Sequence, residues 1–582
     1  MNEYVKAIES IMSEDAKDML KRIYEPQVVG VPLTDARKDV CVLPTGEIRS
    51  YGKLYLEDYI HNPNCGGVSA YLSSVDGGIS WTKHYAKGKM NSCTYIPEKD
   101  IYINLVVEKY AEDKGTFIQI SKIGPDDPDP RRIKISEHYF ACAFLPQKSE
   151  YCDRIWITAE RSISEKEMTC AFIYSDDFGE SWNIVELKQP PFHEVVYPQK
   201  DIRWTYGSGT EPHVAELSEN KMMMIIRTAT DYFYQSFSYD RGNTWTEVEP
   251  SVFHGTDTTP FLLKLSDGRT VCFWNNSQPI SEPRHDKQMP DMGDWTIEGF
   301  GEDAFTNRDV NHAAITDDGG QTWKGFREMF LNDIRNNADF RYAGNRFTSN
   351  DKSVHQFQAF ELPFGKILVA MGQNDSSRRL VIFDTNWLLE TERHENFMNG
   401  LKNVSTQVYL KSISGCTARF GNGHCAWNRT HGAVMMPDAD GGYLENVLIS
   451  KHHDDRLFND IQGVVWNFPA SEKGEVCATI KLIEKKVRIS LADHWFNPCD
   501  EYTGIQSQFS FELDLDDIDS VFTEIRIVYD TKLGYANVYA GEKYLFKVNI
   551  QKIAPVGLSY ISIQCATDGD SKGVYLKNLS KK

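Results

Sequence analysis

SVDGGISW (Ser74 to Trp81), SDDFGESW (Ser175 to Trp182), SYDRGNTW (Ser238 to Trp245) and TDDGGQTW (Thr316 to Trp323) are four readings of one octamer, S/T-x-D-x-G-x-S/T-W. Each position has a physical job. The hydroxyl and carboxylate oxygens can accept backbone N–H bonds and close a tight turn. Glycine supplies the positive φ that the turn needs. Tryptophan anchors the turn on an apolar core and wants one partner for its indole N–H. Strand-like runs flank the copies: KMMMIIRTA before the third, FLLKL after it and HAAIT before the fourth. Each copy therefore reads as a hairpin turn inside a repeated β unit. Four copies, with room for two degenerate ones, predict about six units.

The rest of the chain sets the limits. Its 582 residues are 41% hydrophobic and 25% charged, ordinary globular values that exclude a disordered or collagen-like polypeptide. No run of about 18 apolar residues predicts a transmembrane helix. The first residues, MNEYVKAIESIMSEDAKDMLKRIYEP, lack the basic start and apolar run of a secretory signal. Their apolar spacing (Val5, Ile8, Ile11, Met12, Met19) predicts a short amphipathic helix. The expectation is a cytoplasmic protein whose twelve scattered cysteines, none in a C-x-x-C pair, are reduced thiols. A net charge of −20 argues against nucleic acid or an anionic membrane as the partner. It leaves room for a small anionic ligand at a locally basic pocket.

The octamers resemble the Asp-boxes of the sialidase superfamily, whose members are six-bladed β-propellers, and the likeness covers roughly residues 25–395. The fold this implies is all-β: a helical segment over 1–24, a six-bladed Asp-box propeller over 25–395, and a β-sandwich over 396–582. In the last part GVVWNFPAS, VRISLADHWF, SQFSFELDL, VFTEIRIVYD, YANVYAGEKYLFKV and YISIQCA read as strands. The pattern is similar to lectin-like modules of the concanavalin or laminin-G type.

The resemblance also implies a site: three arginines for a substrate carboxylate, a tyrosine nucleophile with a glutamate partner, and an aspartate acid/base. A sialoside carries its carboxylate on the anomeric carbon, which repels a carboxylate nucleophile, so a neutral tyrosine attacks instead. TEPHVAELSENKMMMIIRT resembles the family's E-P-x-V-x-E-L strand pair and points to Glu211 and Arg227. RDVNHAAITDDGGQTW points to Arg308. The first arginine is Arg37 in RKDVCVLPTG, with Arg49 in EIRSYG as its competitor. The acid/base is Asp58 in LYLEDYIHNPNCGG. In HQFQAFELPFG the tyrosine slot holds Gln356, which is no nucleophile, preceded by His355. Either Tyr342 reaches the site from a loop or the sialidase mechanism is absent.

Other residues join the candidate site. His355 could serve as a general base. His213 faces the same side as Glu211 if that segment is regularly extended. Arg378 and Arg379 in GQNDSSRRLVIF are further candidates for the channel mouth, and Trp204 and Tyr206, just before Glu211, are suited to stack on a sugar ring. The expected activity is an exo-acting glycoside hydrolase releasing a terminal acidic sugar, with an oligosaccharide or glycoside as substrate. The alternatives are a polysaccharide lyase acting on a uronic acid and a non-catalytic glycan-binding propeller. No cofactor and no metal constellation is expected; His452 and His453, before Asp454 and Asp455, read as a solvated charged loop. A homo-oligomer through the sandwich is a further expectation.

Overall fold

Each octamer closes on its own aspartate. In the first, Asp76 Oδ1 accepts the backbone N–H groups of Ile79 and Ser80 at 3.1 and 3.0 Å, and Ser74 Oγ accepts that of Gly78 at 2.8 Å. Ser80 Oγ donates to Asp76 Oδ2, and the Trp81 indole donates to the Gly78 carbonyl at 2.9 Å. The indoles of Trp182 and Trp245 do the same to Gly179 and Gly242. Glycine is needed twice over at Gly242: φ is +91°, and a Cβ there would lie 2.3 Å from the Phe172 ring.

The computed structural model describes residues 3–34, 39–54, 68–109, 112–163, 168–188, 210–228, 232–255, 258–277, 280–281, 304–305, 308, 310–331, 336, 354–372, 377–409, 429–430, 432–437, 444–451, 461–483, 486–500, 503–565 and 571–582. Within them the chain is all-β apart from short helical segments. Among the described residues no helix is long and apolar enough to cross a membrane.

Six four-stranded antiparallel sheets follow one another along the chain. The first is Val40–Val42, Ile48–Leu54, Val68–Ser74 and Thr82–Tyr85; the second is Thr94–Ile96, Ile101–Glu108, Gly115–Ser121 and Arg131–Ser136. The third is Gln147–Lys148, Ile155–Ser162, Met168–Ser175 and Asn183–Glu186; the fourth is Thr210–Ser218, Lys221–Arg227, Tyr232–Ser238 and Glu249–His254. The fifth is Phe261–Lys264, Thr270–Trp274, Val310–Thr316 and Lys324–Leu331. The sixth is Gln358–Leu362, Lys366–Met371 and Arg379–Asp384, completed by the N-terminal strand Gln27–Gly30. The four octamers are the turns from third to fourth strand in sheets one, three, four and five. Sheet two substitutes a looser turn, in which Ser121 Oγ accepts Gly124 N–H at 3.0 Å and donates to Asp127 at 2.6 Å. Sheet six has no such turn, because its fourth strand comes from the other end of the chain.

Successive sheets share apolar cores in chain order, and the sixth shares one with the first. Ile103 and Ile157 belong to the core between sheets two and three, Phe172 and Met224 to that between three and four, and Phe253 and Trp274 to that between four and five. Phe273 and Val369 join five to six, Ile382 and Val42 six to one, and Tyr51 with Tyr102 one to two. The first strands of all six sheets line one cavity of about 950 Å³, represented by Cys41, Tyr95, Gln147, Ala215, Leu262 and Gln358. Tyr4 and Ala7 also reach its wall.

The N-terminal segment is two helices, Glu3–Ile11 and Glu14–Arg22, rather than one. Ser13 ends the first and caps the second, accepting Ala16 N–H at 3.2 Å. Val5, Ile8 and Met12 are buried, but the break turns Met19 outward, 54% exposed. In the C-terminal region an eight-stranded and a five-stranded antiparallel sheet enclose one core that includes Trp466, Ile489, Val476 and Ile527. The last strand, Ser571–Lys581, also pairs with Arg393–Glu395. The segment VRISLADHWF is strand only to Ala492; Asp493 onward turns back to meet the fourth and fifth sheets. The nine described cysteines are free thiols, seven of them buried.

The fourth octamer gives the first test. Partial burial pushes the Asp318 carboxyl up, but donors on Thr322, Thr316 and Gln321 outweigh it and bring it down to about 2. A depressed carboxylate stabilises the fold fully above its unfolded value, and that contribution is lost as pH falls through the folded one. Asp318→Ala is therefore expected to cost about 2 kcal/mol in urea unfolding at neutral pH. The deficit should shrink between about pH 4 and pH 2; a pH-independent deficit would contradict this account.

Candidate functional site

The strand directions give the six sheets two rims. The octamers lie where third strands end. The opposite rim gathers the starts of first and third strands and the ends of second strands. Glu211 stands there, at the start of Thr210–Ser218, and Arg227 at the end of Lys221–Arg227; Thr210 pairs directly with Arg227 in the ladder. Arg308 precedes Val310–Thr316, His355 and Gln356 precede Gln358–Leu362, and Arg378 precedes Arg379–Asp384.

The strand that carries Glu211 is irregular. Its register slips between Thr210 and His213, and Glu211 has φ +40°, a value that non-glycine residues rarely adopt. Such a bulge re-aims a side chain. The Glu211 carboxylate, 8% exposed, receives the Arg227 guanidinium and, at 2.5 Å, the Thr259 hydroxyl. Beside it stands a second carboxylate that sequence reasoning missed. Glu160, on Ile155–Ser162 of the third sheet, accepts the Thr210 hydroxyl and the Glu211 backbone N–H. Burial, and then the charge of Glu211, push the Glu160 carboxyl upward. Its signal in the sequence is faint: WITAER places a charged pair straight after a buried run, and Arg161 turns outward to Glu186.

A second cluster lies between the fifth and sixth sheets. Arg308 is 1% exposed, and its carbonyl accepts Val354 N–H at 2.9 Å, which sets His355 and Gln356 close by. Both are buried, and their side chains meet, Gln356 Nε2 lying 3.1 Å from His355 Nε2. Gln356 has φ +77°. Backbone outliers thus fall on two of the residues singled out from the sequence, as they also do on Phe178 and Arg241 of the octamer turns. Arg378 is half-buried, and its carbonyl accepts Arg379 Nη1 at 2.7 Å.

Two expectations change. His213 does not share a face with Glu211, because the bulge between them breaks the alternation. It is buried with Phe144 and Phe261 rings each 4.3 Å away; Nδ1 accepts Leu262 N–H at 3.0 Å and Nε2 meets the Gln147 amide at 2.9 Å. Burial lowers its pKa to about 3, so the ring is a neutral cross-link between sheets. Arg49 lies at the octamer rim, held by Glu47 and Asp126 over the Tyr71 ring, and is no competitor for the site. Arg37, Asp58, Trp204, Tyr206 and Tyr342 lie outside the described residues.

The paired charges make a stability prediction. Removing one partner of a buried pair leaves an uncompensated charge, so Arg227→Met is expected to cost about 3 kcal/mol in urea unfolding. Adding Glu211→Gln should recover much of it, giving a clear coupling in a double-mutant cycle. Without Arg227 the two glutamates favour taking up a proton in the folded state. The deficit should then grow as pH rises from 4 to 7, and a deficit that falls instead would refute the pairing.

A profile of the BNR repeat-like domain family matches residues 61–355, just over half of the chain. Over 117 residues the chain is 27% identical to an anhydrosialidase of Macrobdella decora, a stretch that is 20% of this chain and only 12% of that protein's length. Among solved structures, a protein of unknown function from Dyadobacter fermentans DSM 18053 is similar at 13% identity and a TM-score of 0.39, over 62% of this chain and 99% of that one. The Trypanosoma rangeli sialidase in complex with sialic acid is similar at 11% identity and a TM-score of 0.37, over 96% and 94% of the two chains. With its repeated octamers and a family match across half its length, this chain belongs to the BNR repeat-like domain family of the sialidase/BNR-repeat superfamily.

Proposed function

We propose that the chain is an exo-acting glycoside hydrolase of sialidase-like architecture that releases a terminal acidic sugar from oligosaccharides. In this reading the six sheets are the blades of a propeller and the two C-terminal sheets are a lectin-like sandwich. The cyclic order of the sheet-to-sheet cores and the cavity lined by every first strand support the propeller. One observation carries the function. The Glu211 carboxylate is held by Arg227 and Thr259, with Glu160 behind it, on the rim opposite the octamers.

The chemistry follows from these groups. Arg227 and Arg308, with Arg37, take the sugar carboxylate, since a guanidinium offers parallel donors to it. Two donors on Glu211 favour its ionised form, that of a base. Glu211 removes a proton from water as the water oxygen bonds to the anomeric carbon. The glycosidic C–O bond breaks, and Asp58 protonates the leaving oxygen. Gln356 supplies no nucleophile, so a single displacement with inversion is the expected course. Glu160 is a positioning residue, fixing the Glu211 backbone.

A second reading, a glycan-binding module without turnover, is favoured by the direct pairing of Glu211 with Arg227, which satisfies both without a substrate. A proton NMR time course on pooled sialosides and uronides separates the two. A new reducing-end signal that appears first in the inverted configuration is expected, with Glu211→Gln slower by at least about 100-fold. Retention would bring Tyr342 back as nucleophile, and an olefinic signal would make the protein a lyase. Glycan binding without turnover, unchanged in Glu211→Ala, would leave the binding module.

A further inference from the structure

The outer strand of the fourth sheet, Glu249–His254, ends against the segment that follows Lys486–Ala492. Three buried side chains meet there, far apart in sequence: His254, Asp493 and His494, at 4%, 1% and 2% exposure. One donor atom from each lies within 4.8 Å of the others. His494 Nδ1 is 2.6 Å and His254 Nε2 3.1 Å from the same Asp493 oxygen. Yet His254 Nε2 makes no hydrogen bond with it, and among the described residues neither His254 ring nitrogen nor His494 Nε2 has a hydrogen-bond partner. Buried polar atoms are normally paired, so three such nitrogens around one carboxylate offer donor atoms to a ligand.

The surroundings fix the cluster without satisfying it. The backbone of Asp493 is pinned on both sides. Its N–H donates to Gln508 at 3.0 Å, and its carbonyl accepts Asn276 Nδ2 at 2.9 Å and Ser559 Oγ at 3.0 Å. Tyr232 stacks on His254 at 4.7 Å, and the Phe496 ring is 4.4 Å from His494. Lys552, close enough to act on His494, donates to the Gln506 amide oxygen.

We propose that His254, Asp493 and His494 bind a divalent transition-metal ion, zinc by the chemistry of the donors, which clamps the C-terminal region onto the fourth sheet. Two imidazoles and one carboxylate are a recurrent zinc set, with bonds of roughly 2.0–2.2 Å. Ligand atoms at such bonds stand roughly 3–3.5 Å apart, so binding would open the 2.6 Å His494–Asp493 contact and turn both rings to a common point. The Gln508, Asn276 and Ser559 contacts play the orienting role that outer-shell partners play at metal centres. The site is independent of the proposed glycosidase chemistry.

The test uses the full chain without a histidine tag, loaded with zinc or cobalt(II) and then dialysed free of excess metal. Metal analysis is expected to find about one ion per chain, and cobalt to give visible d–d absorption. A chelator should lower the melting temperature, and zinc should restore it. His254→Ala and His494→Ala should each lose the ion; cobalt retained in either variant would overturn the assignment. Should those variants fail to fold, the wild-type chain still decides. Metal below a tenth of an equivalent, with a melting temperature indifferent to zinc and chelator, would make the cluster a hydrogen-bonded His–Asp–His group and end the proposal.

Discussion

The strand Gln27–Gly30 pairs with Arg379–Asp384, and this one antiparallel contact brings together the two ends of the six-sheet region. Its register runs Gln27 to Ile382 and Val28 to Val381, and the Asp384 N–H then donates to the Tyr24 carbonyl at 2.9 Å. Without it the sixth sheet would have three strands, with Arg379–Asp384 left as its edge. The closure joins segments some 350 residues apart, but loop-closure entropy grows only with the logarithm of length. It therefore costs little more than a shorter loop would, and local packing offsets it. Gly30 lets the strand lie against Trp81 of the first octamer, where a Cβ would come within 2.9 Å of the indole. The buried Lys366–Asp384 pair holds the next strand in place.

Closure divides labour between the rims. The octamer turns consume their own polar atoms: each aspartate is fully engaged by hydroxyls and N–H groups of its own turn. That rim has little left with which to bind. The opposite rim is where strands begin and end irregularly, where Glu211 and Gln356 take left-handed φ values, and where carboxylates and guanidiniums stand close together. The large cavity does not contradict this. Glu211, Arg227 and Arg308 are not in its wall, while Tyr4 and Ala7 of the first helix are, so it belongs to the side away from the charge cluster.

What could be read in advance was local. The octamers were legible because eight consecutive residues contain the whole hydrogen-bonding scheme of the turn. Glu211 and Arg227 were legible together because one hairpin sets Thr210 opposite Arg227. Glu160 was not, since its contact with Glu211 joins two sheets and leaves no spacing to find. The face assigned to His213 rested on strict alternation, and a single bulge undid it. The cluster at His254 was invisible for the same reason as Glu160: its members lie some 240 residues apart, and only Asp493 and His494 are neighbours.

The C-terminal region is more than an appendage, because it completes the hydrogen bonding of the fifth sheet. Asn467 bridges the two, its Oδ1 accepting Glu328 N–H at 2.9 Å and its Nδ2 donating to the Phe326 carbonyl at 3.0 Å. Asn276 N–H donates to His312 Nδ1 at 3.1 Å, which leaves the His312 Nε2–H to face Tyr560 Oη at 2.5 Å; Tyr560 in turn donates to Glu328 at 3.1 Å. Trp495, Val465 and Tyr560 bury apolar surface against Val310 at the same place. Each buried group left unpaired would cost about 1–3 kcal/mol. Val310 follows Arg308 by two residues, and Asn275 Nδ2 donates to the Val310 carbonyl. The strand that presents Arg308 to the rim is therefore held by the C-terminal region, whose Trp495 also bridges to Ser277 beside it, and the position of that arginine depends on those contacts.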